Sequence, residues 1–209
     1  MKKSLVVAVA LGLYGGAYAD IYAFIDCYYE PVVPPNVDWF VPEFDDYYTV
    51  DLYVEVTDGD DWTSSEATAT IDRGEFFEHP LGDDTPPMAA FVAIYPALEY
   101  DCFYLTTEAD PGNQPPYKDP SFAEIDNQPQ MRSAVWFDTA PNGGAGTFLI
   151  ARYTIHALPE ELPVTFHVAG ENKGIDGDGI WPAYEFTCVI PEPASLSLLA
   201  LGMALIRRR

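Results

Sequence analysis

Two short stretches hold the side chains best suited to chemistry. Residues 57–62 read TDGDDW and residues 175–181 read IDGDGIW, so each places Asp-Gly-Asp shortly before a tryptophan. Calcium takes several oxygen ligands, which closely spaced aspartates in a glycine-rich turn can supply, and a neighbouring indole can stack on a sugar ring. Asp58, Asp60, Asp176 and Asp178 are therefore candidate metal ligands, and Trp62 and Trp181 candidate glycan-stacking residues. The second loop departs from an EF-hand: Ile180 stands fifth from Asp176, and Thr187 stands twelfth, where a bidentate acid is required. Asp-Gly is also an ordinary hairpin turn, and this reading is weighed above the metal one, with both tryptophans then simply opening strands. No resident cofactor is expected; calcium is the one ion the pattern admits.

Other constellations are absent from the sequence. It carries no G-x-S-x-G, H-E-x-x-H, phosphate-binding loop or dinucleotide fingerprint. His79, His156 and His167 are scattered, and each reads as a solvated surface histidine; His167 lies opposite Val164, Phe166 and Val168 in the local alternation. Among so many acids some pair must lie close together, but spacing alone does not single out a glycosidase dyad. Cys27, Cys102 and Cys188 allow one internal disulfide. Cys102 shares a period-two face with Leu98, Tyr100 and Tyr104, and Cys188 with Tyr184, Phe186 and Ile190, so Cys102–Cys188 is the preferred pair. Buried free thiols are the alternative. No Cys/His cluster suggests zinc.

The elements that would position these residues are strands. In YYTVDLYVEV (47–56), Tyr48, Val50, Leu52, Val54 and Val56 share one face, while Thr49, Asp51 and Glu55 point the other way. Similar runs recur at 66–72, 89–95, 98–107, 133–138, 147–156, 163–170 and 183–190. Asp58-Gly59, Asn142-Gly143-Gly144 and Asp176-Gly177 supply turn chemistry between runs. Many short strands with Gly and Pro punctuation predict an all-β antiparallel β-sandwich, jelly-roll or Ig/cohesin-like, over residues 20–190. Residues 107–131 hold Pro111, Pro115, Pro116, Pro120 and Pro129, so this segment is read as a surface loop or partly extended structure, not a central strand.

Charge narrows the partners. Of 209 residues, 33 are acidic and 10 basic, and half of the bases sit at the two ends. Residues 20–190 carry 32 acids against five bases, a net charge of −27. Such a surface repels phosphate backbones, so nucleic acid is not expected as a partner. Hydrophobic residues make up 48% of the chain, enough for the acids to coat a folded domain instead of a disordered one.

The two ends read as addresses. Lys2 and Lys3, the apolar run Leu5–Leu13 and the small residues Ala17 and Ala19 form a signal peptide over residues 1–19, cut by signal peptidase before Asp20. Nine apolar residues are far short of the roughly 20 needed for a membrane span. At the other end, Ala194–Ile206 is uncharged; as a helix its thirteen residues reach about 20 Å at about 1.5 Å each, against a hydrocarbon core of about 30 Å. Arg207, Arg208 and Arg209 would stay with cytoplasmic head groups, leaving Pro191-Glu192-Pro193 and the body outside the cytoplasm. The prolines keep the junction extended, a form that a membrane protease can grip. A soluble core helix is the alternative, but it would not be apolar on every face.

Residues 191–209, with Pro191-Glu192-Pro193-Ala194-Ser195, a Leu-rich run and an Arg cluster, closely resemble the PEP-CTERM sorting signal of Gram-negative bacteria. The resemblance covers about a tenth of the chain; the apolar run is short and is interrupted by Gly202 and Met203. It implies processing by an exosortase-type membrane enzyme, a cell-envelope, cell-surface or extracellular location, and an extracellular-polysaccharide setting. The expectation is a non-catalytic surface or matrix protein linked to adhesion or biofilm. A calcium-assisted carbohydrate-binding module or glycan-active enzyme is the alternative.

Overall fold

The computed structural model describes residues 21–28, 39–41, 46–57, 61–107, 119–141, 144–174 and 183–192. Ten strands and two short helical segments make up the described elements. The strands are β1 (Ile21–Cys27), β2 (Tyr47–Val56), β3 (Trp62–Ile71), β4 (Glu75–Phe76), β5 (Phe103–Tyr104), β6 (Ser121–Gln128), β7 (Met131–Phe137), β8 (Gly146–His156), β9 (Val164–Gly174) and β10 (Ala183–Ile190). Between β4 and β5 lie α1 (Ala89–Val92) and a 3-10 helix (Pro96–Tyr100).

Two antiparallel sheets result. One has the order β1-β2-β8-β4, with β5 also pairing β8; the other has the order β10-β9-β3-β7-β6. The inward faces meet in one apolar core, where Val50, Leu52 and Val54 from β2 face a layer that includes Ala67, Trp136, Phe166 and Val168. This all-β sandwich matches the alternation read from the sequence, and β2 keeps the boundaries 47–56.

The opposite face of β2 is not solvated as its alternation predicts, because Thr49 and Asp51 are buried too. The chain between β4 and β5 folds over this outer face. Arg152 of β8 donates to Asp51 through Nε (2.7 Å) and Nη2 (2.8 Å), and through Nη1 to the Glu99 carbonyl at 3.1 Å. Its guanidinium also lies 5.7 Å from the Phe103 ring centroid. A bidentate fork of this kind compensates a carboxylate that burial alone would disfavour.

Two expected strands are corrected. Residues 89–95 begin with the α1 turn, and 98–107 open in the 3-10 helix, leaving only Phe103 and Tyr104 as strand. Pro96 at the start of the 3-10 helix fits a first helical turn, where its missing N–H costs nothing. The Pro-rich segment does contain a strand, β6, between Pro120 and Pro129, and it lies at a sheet edge.

The disulfide is also corrected. Cys27 bonds Cys188, joining edge strand β1 of one sheet to edge strand β10 of the other, with Cα atoms 6.7 Å apart. Cys102 is a buried free thiol whose Sγ accepts from the Thr154 N–H at 3.2 Å. Its expected register with Leu98 and Tyr100 dissolves because those two residues are helical. Ile21, Ala23, Ile25 and Cys27 carry the alternation that brings the true partner to the core.

Candidate functional site

Among the sequence candidates, Trp62 is fully buried, with its indole N–H donating to Ser65 Oγ at 2.9 Å. A ring with no exposed face cannot stack on a ligand, so its glycan role is withdrawn; it opens β3 as a core residue. Ser65 Oγ in turn bonds Asn172 Oδ1. Asp58, Asp60, Asp176, Asp178 and Trp181 lie outside the described residues, as do Ala17, Ala19, Pro193, Arg207, Arg208 and Arg209. Pro191 and Glu192 directly follow β10, and Glu192 is exposed. Among the described residues no group of three or more His, Cys, Asp or Glu is placed to hold a metal ion, and no helix is long and apolar enough to cross a membrane.

A cleft that no sequence motif marks lies where the chain leaves β4 and returns before β5. Two hollows of about 430 Å³ and about 350 Å³ have Gly82, Asp83 and Asp101 in common in their walls. The larger is also walled by Glu78, Asp84 and Arg132, the smaller by Pro86, Pro87, Met88 and Phe91.

Asp101 closes the cleft floor. Its Oδ1 accepts from the backbone N–H of His79 (2.9 Å) and of Cys102 (3.0 Å), tying the two ends of the excursion together. Gly82 N–H donates to the His79 carbonyl at 2.8 Å, which brings the turn down onto Asp101. A Cβ at position 82 would stand 1.6 Å from Asp101 Oδ2, so only glycine permits this approach. Burial raises the Asp101 carboxyl to about 7, against the lowering effect of the two backbone N–H groups and of Arg132. His79, expected at the surface, is buried, with ring contacts to Phe77 and Tyr95. His156 is half-buried and stacks on Tyr47, while His167 is partly exposed and bonds Glu185 at 3.0 Å, as its outward register predicts.

Arg132 enters from β7 in the inward register, two residues before Ala134 and four before Trp136. Its Nη1 lies 2.8 Å from Glu78 Oε1 and 3.6 Å from Asp84 Oδ1, and the guanidinium sits 6.0 Å from the Phe76 ring centroid. Its Nε–H is buried without an acceptor. Asp84 also accepts from Asn127 Nδ2 at 2.8 Å, and burial raises its pKa above the usual carboxylate value. Burial pushes the neighbouring Cys102 thiol up to about 12, which makes it a poor nucleophile.

The two hollows therefore present carboxylate acceptors and an apolar wall on which Met88 is 60% and Phe91 51% exposed. The sequence spreads these groups over more than fifty positions, from Glu78 to Arg132. The available signal is Arg132 itself, one of only five bases in the body, set in the inward register of a strand.

No protein-family profile matches the chain, and no curated protein matches it. Among solved structures, a DUF4466 family protein from Parabacteroides merdae is similar over 82% of this chain, at 10% identity and a TM-score of 0.34. This chain spans 44% of that one.

Proposed function

We propose that the protein is an exported, non-catalytic surface or matrix protein of the PEP-CTERM type, delivering an acidic sandwich into a polysaccharide layer. The observation that carries this reading is the Cys27–Cys188 bond, since such bonds persist in oxidising compartments and are rare in the cytosol. The signal peptide (1–19), the Pro191-Glu192-Pro193 junction and the Arg207–Arg209 cluster supply the route, with signal peptidase and an exosortase-type enzyme as processing partners. In finer architecture the sandwich is read as jelly-roll or Ig/cohesin-like, consistent with two five-stranded antiparallel sheets.

A second reading, carbohydrate binding, is favoured by the smaller hollow, where the carboxylates of Asp83 and Asp101 and the ring of Phe91 share one lining. The surface reading is tested on intact host cells. Added protease should remove the body from wild-type cells, and replacing Arg207, Arg208 and Arg209 with Gln should impair tail processing or display. A body that stays protected inside intact cells refutes the proposal.

A further inference from the structure

We propose that residues 85–101 form a hinged cover over the outer face of the β2–β8 pair, latched by the Asp101 carboxyl in acid and released as the pH rises toward neutral. The cover is lightly held along most of its length. From Thr85 to Leu98 the chain carries no charge, and α1 buries none of its residues. Its backbone bonds are local turns: Ala93 N–H donates to the Ala89 carbonyl and Leu98 N–H to the Tyr95 carbonyl. Attachment is concentrated near the far end. Ala97 and Leu98 are buried, Ala97 in a cluster with Val41 and Phe77, and the Glu99 carbonyl accepts from Arg152 Nη1 at 3.1 Å. A segment with few buried side chains and mostly local bonding can open without global unfolding.

The two ends of the cover differ. Asp84, just before it, is fixed to the body: its carbonyl accepts from Tyr104 N–H at 3.0 Å and its carboxylate from Asn127 Nδ2 at 2.8 Å. The far end is held by Asp101, whose Oδ1 reaches back across the excursion to His79 N–H, while Oδ2 lies against Gly82. Releasing this carboxyl frees the far end, with Asp84 as the hinge. Its surroundings set the direction. Glu78, Asp83, Asp84 and Asp119 line the same hollows, against one cation, Arg132, which is already engaged by Glu78 and Asp84. Burial outweighs the two backbone N–H groups and Arg132 and so favours the protonated latch, whereas an open cover returns the ionised carboxylate to water. The Cys102 thiol, pushed up to about 12, keeps its proton throughout. His79 acts in the opposite sense: its Nδ1 accepts from Leu81 N–H at 3.1 Å, so protonating that nitrogen would loosen the turn in acid. Opening that grows toward neutral pH is therefore the signature of a carboxyl latch.

The reporter is Cys102, 4% exposed beside the latch and the one free thiol, since Cys27 and Cys188 are bonded to each other. The full-length chain in non-ionic detergent is reacted with methyl methanethiosulfonate from pH 5 to 8. Each rate is divided by that of the urea-unfolded chain at the same pH, which removes the pH dependence of the thiol chemistry itself. The ratio should rise roughly 50-fold between pH 5 and pH 7 and level off above, a span set by a carboxyl held at about 7 when closed and returned to 3.8 when open. Urea below the unfolding transition should leave the ratio nearly unchanged, because a local opening exposes little surface. In Asp101→Asn the ratio should be flat with pH. Asp84, whose carboxyl burial also raises, is intact in that variant, so a slope that survives there overturns the assignment to Asp101. A wild-type ratio that stays constant from pH 5 to 7, or that climbs steeply with urea, overturns the cover. The wild-type pH and urea series decide by themselves if the variant does not fold.

Discussion

Replacing Asp101 with Asn should remove one pH-dependent weakness of the fold. Asp101 is 3% exposed, and its carboxyl is raised from 3.8 to about 7, chiefly by burial. Between these values the folded chain holds a proton that the unfolded chain has released. Stability from this group is therefore fully present below pH about 4 and is lost as pH rises through about 7. A shift of roughly three units at about 1.36 kcal/mol each sets the loss at about 4 kcal/mol by pH 8, an upper figure for one group. The side-chain amide introduced by Asp101→Asn would keep an oxygen to accept from His79 N–H and Cys102 N–H without ever becoming charged. Urea unfolding followed by the fluorescence of buried Trp62 and Trp136 should show the variant near wild type at pH 4.5 and progressively more stable toward pH 8. The difference between the two proteins isolates Asp101, because every other titrating group is common to both. A stability difference that stays constant from pH 5 to 8, or a variant that is the weaker protein at pH 8, would refute the reasoning.

Three further outcomes are expected. Cys27→Ser should lower unfolding stability by about 2–4 kcal/mol and abolish any response to reductant, whereas Cys102→Ala should keep that response; loss of it in the second variant would reassign the bond. Arg152→Met should cost about 3–5 kcal/mol in chemical denaturation because it strands the fully buried Asp51 carboxylate, and Asp51→Asn in the same chain should recover part of the loss; a neutral single variant would mean that the Arg152–Asp51 pair does not hold this face together. Trp62→Ala should cost about 3–5 kcal/mol as a core truncation, while Phe91→Ala, on an exposed surface, should stay within about 0.5 kcal/mol, both read from thermal or urea midpoints.

Legibility in the sequence follows periodicity. β2, β9 and β10 are readable because apolar and polar residues alternate along them against a common core. The run AAFVAIY misleads because a short apolar stretch carries no period of its own, and proline at 96 favours a helical start over a strand. β6 is hidden by the prolines around it, which exclude a central strand but not an edge one. Trp62 resembles a ligand-stacking residue because a tryptophan after an acidic turn looks the same whether it faces water or the core. The cleft is illegible for a different reason. Its acids are ordinary one by one, and only the fold of residues 77–105 over β8 and β7 brings them to Arg132. Asp101 is the extreme case: its burial depends on Gly82 closing from one side and on two backbone amides that no spacing rule connects.

The position of the Cys27–Cys188 bond governs how the domain carries mechanical load. The chain leaves the sandwich at Pro191, one residue past the end of β10, which is an edge strand held on one side by β9. Tension applied at that exit would act first on the Ile190↔Val164 pair, and an antiparallel edge strand peels one rung at a time. The bond at Cys188 arrests such peeling after two residues and passes the force across the core to β1, which is paired along its whole length with β2. A tethered body is thereby loaded through both sheets at once, so single-molecule pulling from the C-terminus should show a higher rupture force before reduction than after it.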